Sequence, residues 1–426
     1  MSAESPVLDR LEGAAEALRG LANGRVVRVL GRAGRRFLDP GDPLRREALA
    51  RIPDEAGLSG PMARLLLDRM AGDWAEDALE RLLGAEFRDP GVLEGFREGA
   101  AGDRTRALGD RLAFHLCAGN VAGVGATSLV RSLLVRSPVL LKPGQGDVVL
   151  PTLLERAIRE EDPVLGAAAA VRYWRGGTPS ALEDEALERA GRVVVYGGAG
   201  VIEAVRTRVG GRVPIVAYPH RISVGAVARE VAGRATARAA AAAVAAYDQR
   251  GCVSPHLVWV EEGGKTSPAR WAELLGEELE ALREALPKGP SEPEEAARHQ
   301  QLRLEAELLG ASGAGVQVRG GAGTSWTVVF EPEAEFRGGC AGRFVRVQPV
   351  EALEGLPSVL EVQAELLQSV GLAADAARRE GLAEAFARAG VSRVTTFERQ
   401  PWPPPWWTHD GQGPLRVLVR WSSLEE

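Results

Sequence analysis

Residues 111–144 read RLAFHLCAGNVAGVGATSLVRSLLVRSPVLLKPG, and their texture decides the fold. The apolar run RLAFHL has the length and bounds of a buried strand, and it ends in a glycine-rich turn over residues 118–125. VGATSLVRSLLVRS reads as a helix, Pro138 stops it, and VLLKP is a second short buried strand. The rhythm continues with helix DVVLPTLLERAIREE (147–161), strand RVVVYGG (192–198), helix AGVIEAVRTRV (199–209) and strand RVPIVAY (212–218). Strands alternating with helices predict right-handed crossovers and a doubly wound parallel sheet, an α/β fold.

Upstream, residues 1–110 carry helical patterning, as in MARLLLDRMAGDWAEDALERLL (62–83), and predict a helical part of the lobe whose α/β core is 111–225. Downstream, residues 223–247 finish in the Ala-rich run REVAGRATARAAAAAVAAY and predict one long helix, with Gly251 as its left-handed C-terminal residue. Cys252 comes next, then the strand HLVWVEE. A second α/β lobe is expected over 226–400, with helices near 268–286 and 294–309 and strands near 315–318 and 325–330. The stretch 284–297, EALPKGPSEPEEAA, predicts a solvated connection. In the segment 401–426, four Pro and three Trp crowd into residues 401–407. RVLVRW (416–421) then predicts a strand that pairs onto another lobe or subunit, because a lone apolar edge invites association.

Composition bounds the function. The chain has 426 residues, 45% hydrophobic and 26% charged, ordinary values for a globular protein of two or three domains. Net charge is −6 with no basic run, which argues against a nucleic-acid partner. No apolar stretch reaches membrane-spanning length, and the first residues lack the pattern of a secretory signal. Three cysteines, Cys117, Cys252 and Cys340, make no CxxC pair and no disulfide framework, which fits a reducing cytoplasm. The five histidines (115, 220, 256, 299, 409) have no metal-ligand spacing, and no P-loop is present.

Four places carry chemistry. Cys252 sits between a helix and a strand, where its thiolate either attacks an acyl carbon or is an inert buried thiol. Cys117 and Cys340 read as core or loop cysteines. In the turn after the first strand, Asn120 is either an amide donor for an oxyanion or a cap of the helix that follows. Lys142 stands at a strand end, where open α/β sheets bind ligands, and is either a ribose or phosphate contact or a solvated lysine. Tyr196-Gly197-Gly198-Ala199-Gly200 gives strand, glycines and helix start, the local form of a pyrophosphate site, without full GxGxxG spacing.

The order of these pieces is more specific than any one of them. The segments AGNVAGVGATSLVRSLLVRSPVLLKPGQGD, VVVYGG, IVAYPHRISV, AAYDQRGCVSPHLVWVE and THDGQGPLRVLVRW resemble the aldehyde dehydrogenase superfamily, and within it the LuxC-type acyl-CoA reductase family. The resemblance runs from about residue 110 to the end, and Asp248-Gln249-x-x-Cys252-x-Ser254-Pro255 is its most specific part. It implies an aldehyde-dehydrogenase-like fold, with a doubly wound nucleotide-binding lobe and an α/β catalytic lobe. The implied reaction makes an aldehyde from an acyl thioester with a reduced nicotinamide. By carry-over, Cys252 is the acylated nucleophile, and Asn120 with the Cys252 backbone N–H holds the oxyanion. Lys142 contacts the adenosine ribose, and Gly197 and Gly198 lie beside the pyrophosphate. Gln145 stands where oxidising relatives place a ribose-binding Glu; losing that charge removes repulsion of a 2′-phosphate and implies NADPH.

Two departures bear on the reaction. Where the oxidisers carry a hydrolytic Glu, this chain reads Ala217-Tyr218-Pro219-His220, which leaves His220 or His409 to move protons. Where they carry a ribose-binding Glu before Phe-Gly-Pro, it reads Gly342-Arg343-Phe344. The implied partners are acyl-CoA or an acyl-carrier thioester, an acyl-transferase protein and further copies of the chain. The alternatives are an oxidising aldehyde dehydrogenase and an inactive scaffold. The Pro/Trp segment 401–407 either shields an acyl chain or makes a subunit contact.

Overall fold

The computed structural model describes residues 6–99, 102–336, 339–360 and 365–425. The chain divides into two compact units, one of Met1–Ala56, Ala63–His220 and Pro404–Glu426, the other of Gly57–Met62 and Arg221–Pro403.

In chain order the first unit holds β1 (Arg97–Glu98), β2 (Arg104–Gly109), β3 (Ala113–Leu116), β4 (Val139–Lys142), β5 (Ala169–Val171), β6 (Arg192–Gly197) and β7 (Ile215–Pro219). Strands β3 to β7 form a parallel sheet in the order β5-β4-β3-β6-β7. The chain starts in the middle, winds out through β4 and β5, then returns to the other side of β3. That places a topological switch between β3 and β6, where loops after neighbouring strands leave in opposite directions. The helix Val124–Leu134 is buried on most sides, so its sequence is apolar nearly throughout. Phe114, Leu140, Val193 and Val195 make a core with Ile202, Val205 and Val209 of the helix Ala199–Val209. Strand β5 and the Ser180-capped helix Ala181–Arg189 went unread in the sequence. β5 is three alanine-rich residues, too short for a period-2 signal.

The second unit holds β8 (Ile222–Val227), β9 (Pro255–Glu261), β10 (Gln317–Gly320), β11 (Thr327–Phe330), β12 (Phe344–Val350), β13 (Leu367–Ala373) and β14 (Arg393–Thr395). They form one sheet in the order β10-β11-β12-β9-β8-β13-β14, parallel except for the β10–β11 hairpin. Alternate residues of β9 serve opposite faces: Val258 and Val260 pack with Trp271, Leu275 and the Ala-rich helix, Leu257 and Trp259 with Leu353, Leu382 and Phe386. Both faces are covered, which is why these strands read as unbroken apolar runs.

Several expectations need correction here. Residues 223–247 are not one helix: β8 occupies Ile222–Val227 and the helix spans only Arg234–Ala245. Its strand ISVGAV is β-branched and lies between β9 and β13, so sheet burial overrides the alanine signal beyond it. Gly251 is not the left-handed residue; Tyr247, Asp248 and Gln249 are, with φ of 53°, 51° and 65°. The stretch 284–297 does carry the expected part-exposed connection, between the helices Pro268–Ala285 and Pro293–Ala311, with no residue fully buried, but it is tied down at two points. Lys288 Nζ donates to the Thr324 carbonyl at 2.8 Å, and Gly289 N–H to Asp248 at 2.9 Å.

The last strand, β15 (Val419–Leu424), pairs antiparallel with β2 of the same unit in the sheet β1-β2-β15. The preceding turn is tied by Glu86, whose carboxylate accepts from Leu415 N–H at 2.8 Å and Arg416 N–H at 3.0 Å.

Candidate active site

In the first unit the expected residues gather at the carboxyl edge of the parallel sheet. β3 runs into the Asn120 loop, β4 ends on Lys142, β6 ends on Gly197 and β7 is followed by His220. The Asn120 loop lies against the turn after β4: a Cβ on Gly119 would collide with the Gln145 backbone, and one on Gly144 with Gly119. These glycines permit close approach of two backbones. The helix after Asn120 is capped from within. Buried Asp147 accepts from Gly123 N–H at 2.6 Å and Gly125 N–H at 2.7 Å, and burial pushes its carboxyl up to about 8 against the pull of those bonds. The cap of that helix is thus made by Asp147 rather than by Asn120. Glu55 likewise accepts from Val149 N–H and starts the next helix.

The helix Ala199–Val209 begins differently. Gly198 is its N-cap without a side-chain bond, and a Cβ on Gly198 or Gly200 would meet nothing within 4 Å. An anion has room to approach the N–H groups there. Lys142 is half-buried, and burial lowers its pKa. Its Nζ lies 3.9 Å from where a Cβ on Gly176 would stand, so the turn after β5 passes close over it. Gln145 is exposed. This open helix start, lysine at a strand end and switch point fit a dinucleotide.

His220 is exposed beyond the end of β7. The residue two places earlier is enclosed instead. Tyr218 stacks on Tyr196 at 4.6 Å and on His409 at 4.4 Å, and His409 stacks on Trp407 at 4.6 Å. Burial raises the pKa of both tyrosines, so neither hydroxyl serves as a base near neutrality.

In the second unit Cys252 stands half-buried in the turn before β9. Two buried frames flank it. Upstream, Asp248 accepts from Arg343 Nε at 2.9 Å and from Gly289 N–H, while its own carbonyl accepts from Gly342 N–H at 2.8 Å. Gln249 exchanges bonds with both the N–H and the carbonyl of Phe344, at 2.7 and 2.8 Å, and donates to the Pro255 carbonyl. On the other side, Ser223 Oγ donates to the Cys252 carbonyl at 2.7 Å, with Ser369 Oγ 2.8 Å from Ser223 Oγ. The Asp-Gln pair of the motif thus has a structural meaning that sequence alone left blank. Arg343 points inward to Asp248 and is fully buried, so it does not replace the ribose-binding Glu of the oxidisers. Ser223, Ser369 and Gln400 were missed entirely; the one signal was the glycines Gly225 and Gly371, paired across β8 and β13. A Cβ on Gly371 would strike Gln400 and Phe397.

The other two thiols are poor nucleophiles. Burial pushes Cys117 far above the ordinary range and Cys340 up to about 11.

Comparisons agree with this architecture. A family model, Acyl-CoA reductase (LuxC), matches residues 21–421. The chain is 25% identical over 406 residues to a long-chain acyl-protein thioester reductase of Aliivibrio fischeri, covering 94% of this chain and 82% of that one. It is 24% identical over 321 residues to the enzyme of the same name from Photobacterium phosphoreum, covering 73% of this chain and 62% of that one. Among solved structures it resembles a cysteine-to-alanine mutant of aldehyde dehydrogenase C from Pseudomonas syringae, complexed with NAD+ and octanal. The TM-score is 0.75 at 12% identity, covering 98% of this chain and 87% of that one. The fold is that of the aldehyde dehydrogenases.

Proposed function

The chain belongs to the acyl-CoA reductase (LuxC) family, oxidoreductases acting on acyl thioesters, and from that premise we propose that it reduces a long-chain acyl thioester to the fatty aldehyde through an acyl-enzyme on Cys252. The observation that carries this reading is the pair of buried frames around Cys252, which fix the backbone of a half-buried thiol while the two other cysteines lie in settings that hold them protonated. The thiolate Sγ adds to the carbonyl carbon, the bond from that carbon to the carrier's sulfur breaks, and the carrier leaves as a thiolate that takes up a proton. Asn120 and the Cys252 N–H are assigned to the oxyanion. The hydride that converts the acyl-enzyme to aldehyde is what a bound reduced nicotinamide supplies. Lys142 would hold its ribose, the Gly197–Gly198 turn would lie beside its pyrophosphate, and Gln145 would leave a 2′-phosphate unopposed, which favours NADPH. His220 and His409 are the candidates for the proton. The acyl group arrives on CoA or on a protein, as the relatives' name suggests, and an acyl-transferase is the matching partner.

The stack around Tyr218 favours reduction over oxidation. In this reading Tyr218 fills the stretch where an oxidiser places its hydrolytic carboxylate, and a buried ring does not activate water. Intact-protein mass after acyl-CoA is added without nicotinamide tests the assignment. One acyl adduct per chain, absent in Cys252→Ala, is expected. An adduct that survives the substitution overturns it.

A further inference from the structure

The turn that carries Cys252 is built in a conformation its residues do not choose. Tyr247, Asp248 and Gln249 are consecutive left-handed residues, and none is glycine. Side chains beyond glycine reach that region rarely and hold it only when the surroundings impose it. Each of the three is tied by its own side chain: Tyr247 Oη donates to the Pro401 carbonyl at 2.7 Å, Asp248 pairs with Arg343 at 2.7 Å, and Gln249 clasps Phe344. Arg343 is itself left-handed, with φ of 64°. All four side chains are buried. Four residues further on, a second polar chain meets the turn from below. Ser223, Ser369 and Gln400 are fully buried; Gln400 Nε2 donates to the Val224 carbonyl at 2.9 Å, and Ser223 Oγ holds the Cys252 carbonyl.

Burying this much polar surface is a costly way to close a helix-to-strand connection, and apolar side chains often do the same work with more stability. What a buried, hydrogen-bonded polar frame adds is a single geometry. We infer that Ser223 and the Asp248–Arg343 pair are positioning residues for the acyl-transfer step, fixing the Cys252 backbone so that Sγ meets the face of the thioester carbonyl at the angle addition requires. The inference rests on Cys252 being the nucleophile. Misplacing a reacting atom by about 1 Å costs on the order of a hundredfold in rate, which sets the expected size of the effect.

The test uses the full chain, acyl-CoA and no nicotinamide, and follows the acyl adduct by quenched-flow mass spectrometry. Ser223→Ala removes the hydroxyl under the Cys252 carbonyl. Asp248→Asn keeps the shape and removes the charge facing Arg343. In both variants the acylation rate constant at saturating acyl-CoA falls by about ten- to a hundredfold. The final adduct stays at one per chain, and half-saturation by acyl-CoA stays within about threefold. A merely structural role moves the other quantity: fewer chains acylate, at the wild-type rate. That result, or wild-type rates in Ser223→Ala, overturns the inference. Should Asp248→Asn fail to fold, Ser223→Ala decides alone. Absence of any adduct in the wild type overturns the nucleophile itself, and so is told apart from failure of the positioning.

Discussion

Gln145 stands exposed in the turn three residues after Lys142, and the cofactor preference proposed here rests on that one neutral side chain. Unit charges 4 Å apart near a protein surface interact by about 1–4 kcal/mol. Gln145→Glu is therefore expected to shift the kcat/KM ratio for NADPH over NADH by about tenfold or more toward NADH. Steady-state kinetics with both cofactors check this, and an unmoved ratio removes the argument. Asn120 carries a larger stake. Asp147 caps the helix after it, so Asn120→Ala leaves that cap in place. The substitution should lower the acylation rate by about a hundred- to a thousandfold, the usual cost of one oxyanion donor.

Elements meet at Glu261, the last residue of β9. Its carboxylate is fully buried and accepts from the backbone of Arg229 and Leu353 and from the guanidinium groups of Arg229 and Arg378. Although burial alone works the other way, those bonds hold its pKa far below the carboxylate range. A depressed carboxylate stabilises the fold above its unfolded pKa, about 4.3, and that contribution is lost as pH falls toward the folded value. Glu261→Gln is expected to cost about 3 kcal/mol at pH 7. The gap between variant and wild type should narrow steadily below about pH 4, read by urea unfolding at several pH values. The paired glycines of β8 and β13 set a second limit. Gly371→Val drives a side chain into Gln400 and Phe397, an overpacking cost of about 1–3 kcal/mol, measured by the same unfolding curves.

For the whole molecule the question is direction. Aldehyde oxidation to the acid requires water activated at the acyl-enzyme, and the stretch 217–220, where Tyr218 stacks on Tyr196 and His409, carries no carboxylate of its own. Aldehyde with NADP+ and no free thiol is expected to yield acid at least about a hundredfold more slowly than acyl-CoA with NADPH yields aldehyde. Rapid acid formation would instead establish a hydrolytic base and return the oxidising alternative. Among the described residues no helix is long and apolar enough to cross a membrane.

The sequence by itself determined the parallel α/β core of the first unit. β3, β4, β6 and β7 and their helices lie where apolar period and glycine turns put them, because those signals are local. It also singled out Cys252, Asn120, Lys142 and the Gly197–Gly198 turn, since motif order survives without coordinates. Only the tertiary structure decided what Asp248, Gln249 and Arg343 do, because their partners lie far apart in the chain: Asp248 bonds Gly289 and Arg343, and Gln249 bonds Phe344. The same holds for β8, whose strand state comes from β9 and β13 on either side rather than from its own neighbours. Local preference is written into consecutive residues; a left-handed turn whose side chains are held by partners distant in the chain exists only once the sheet beneath it has formed.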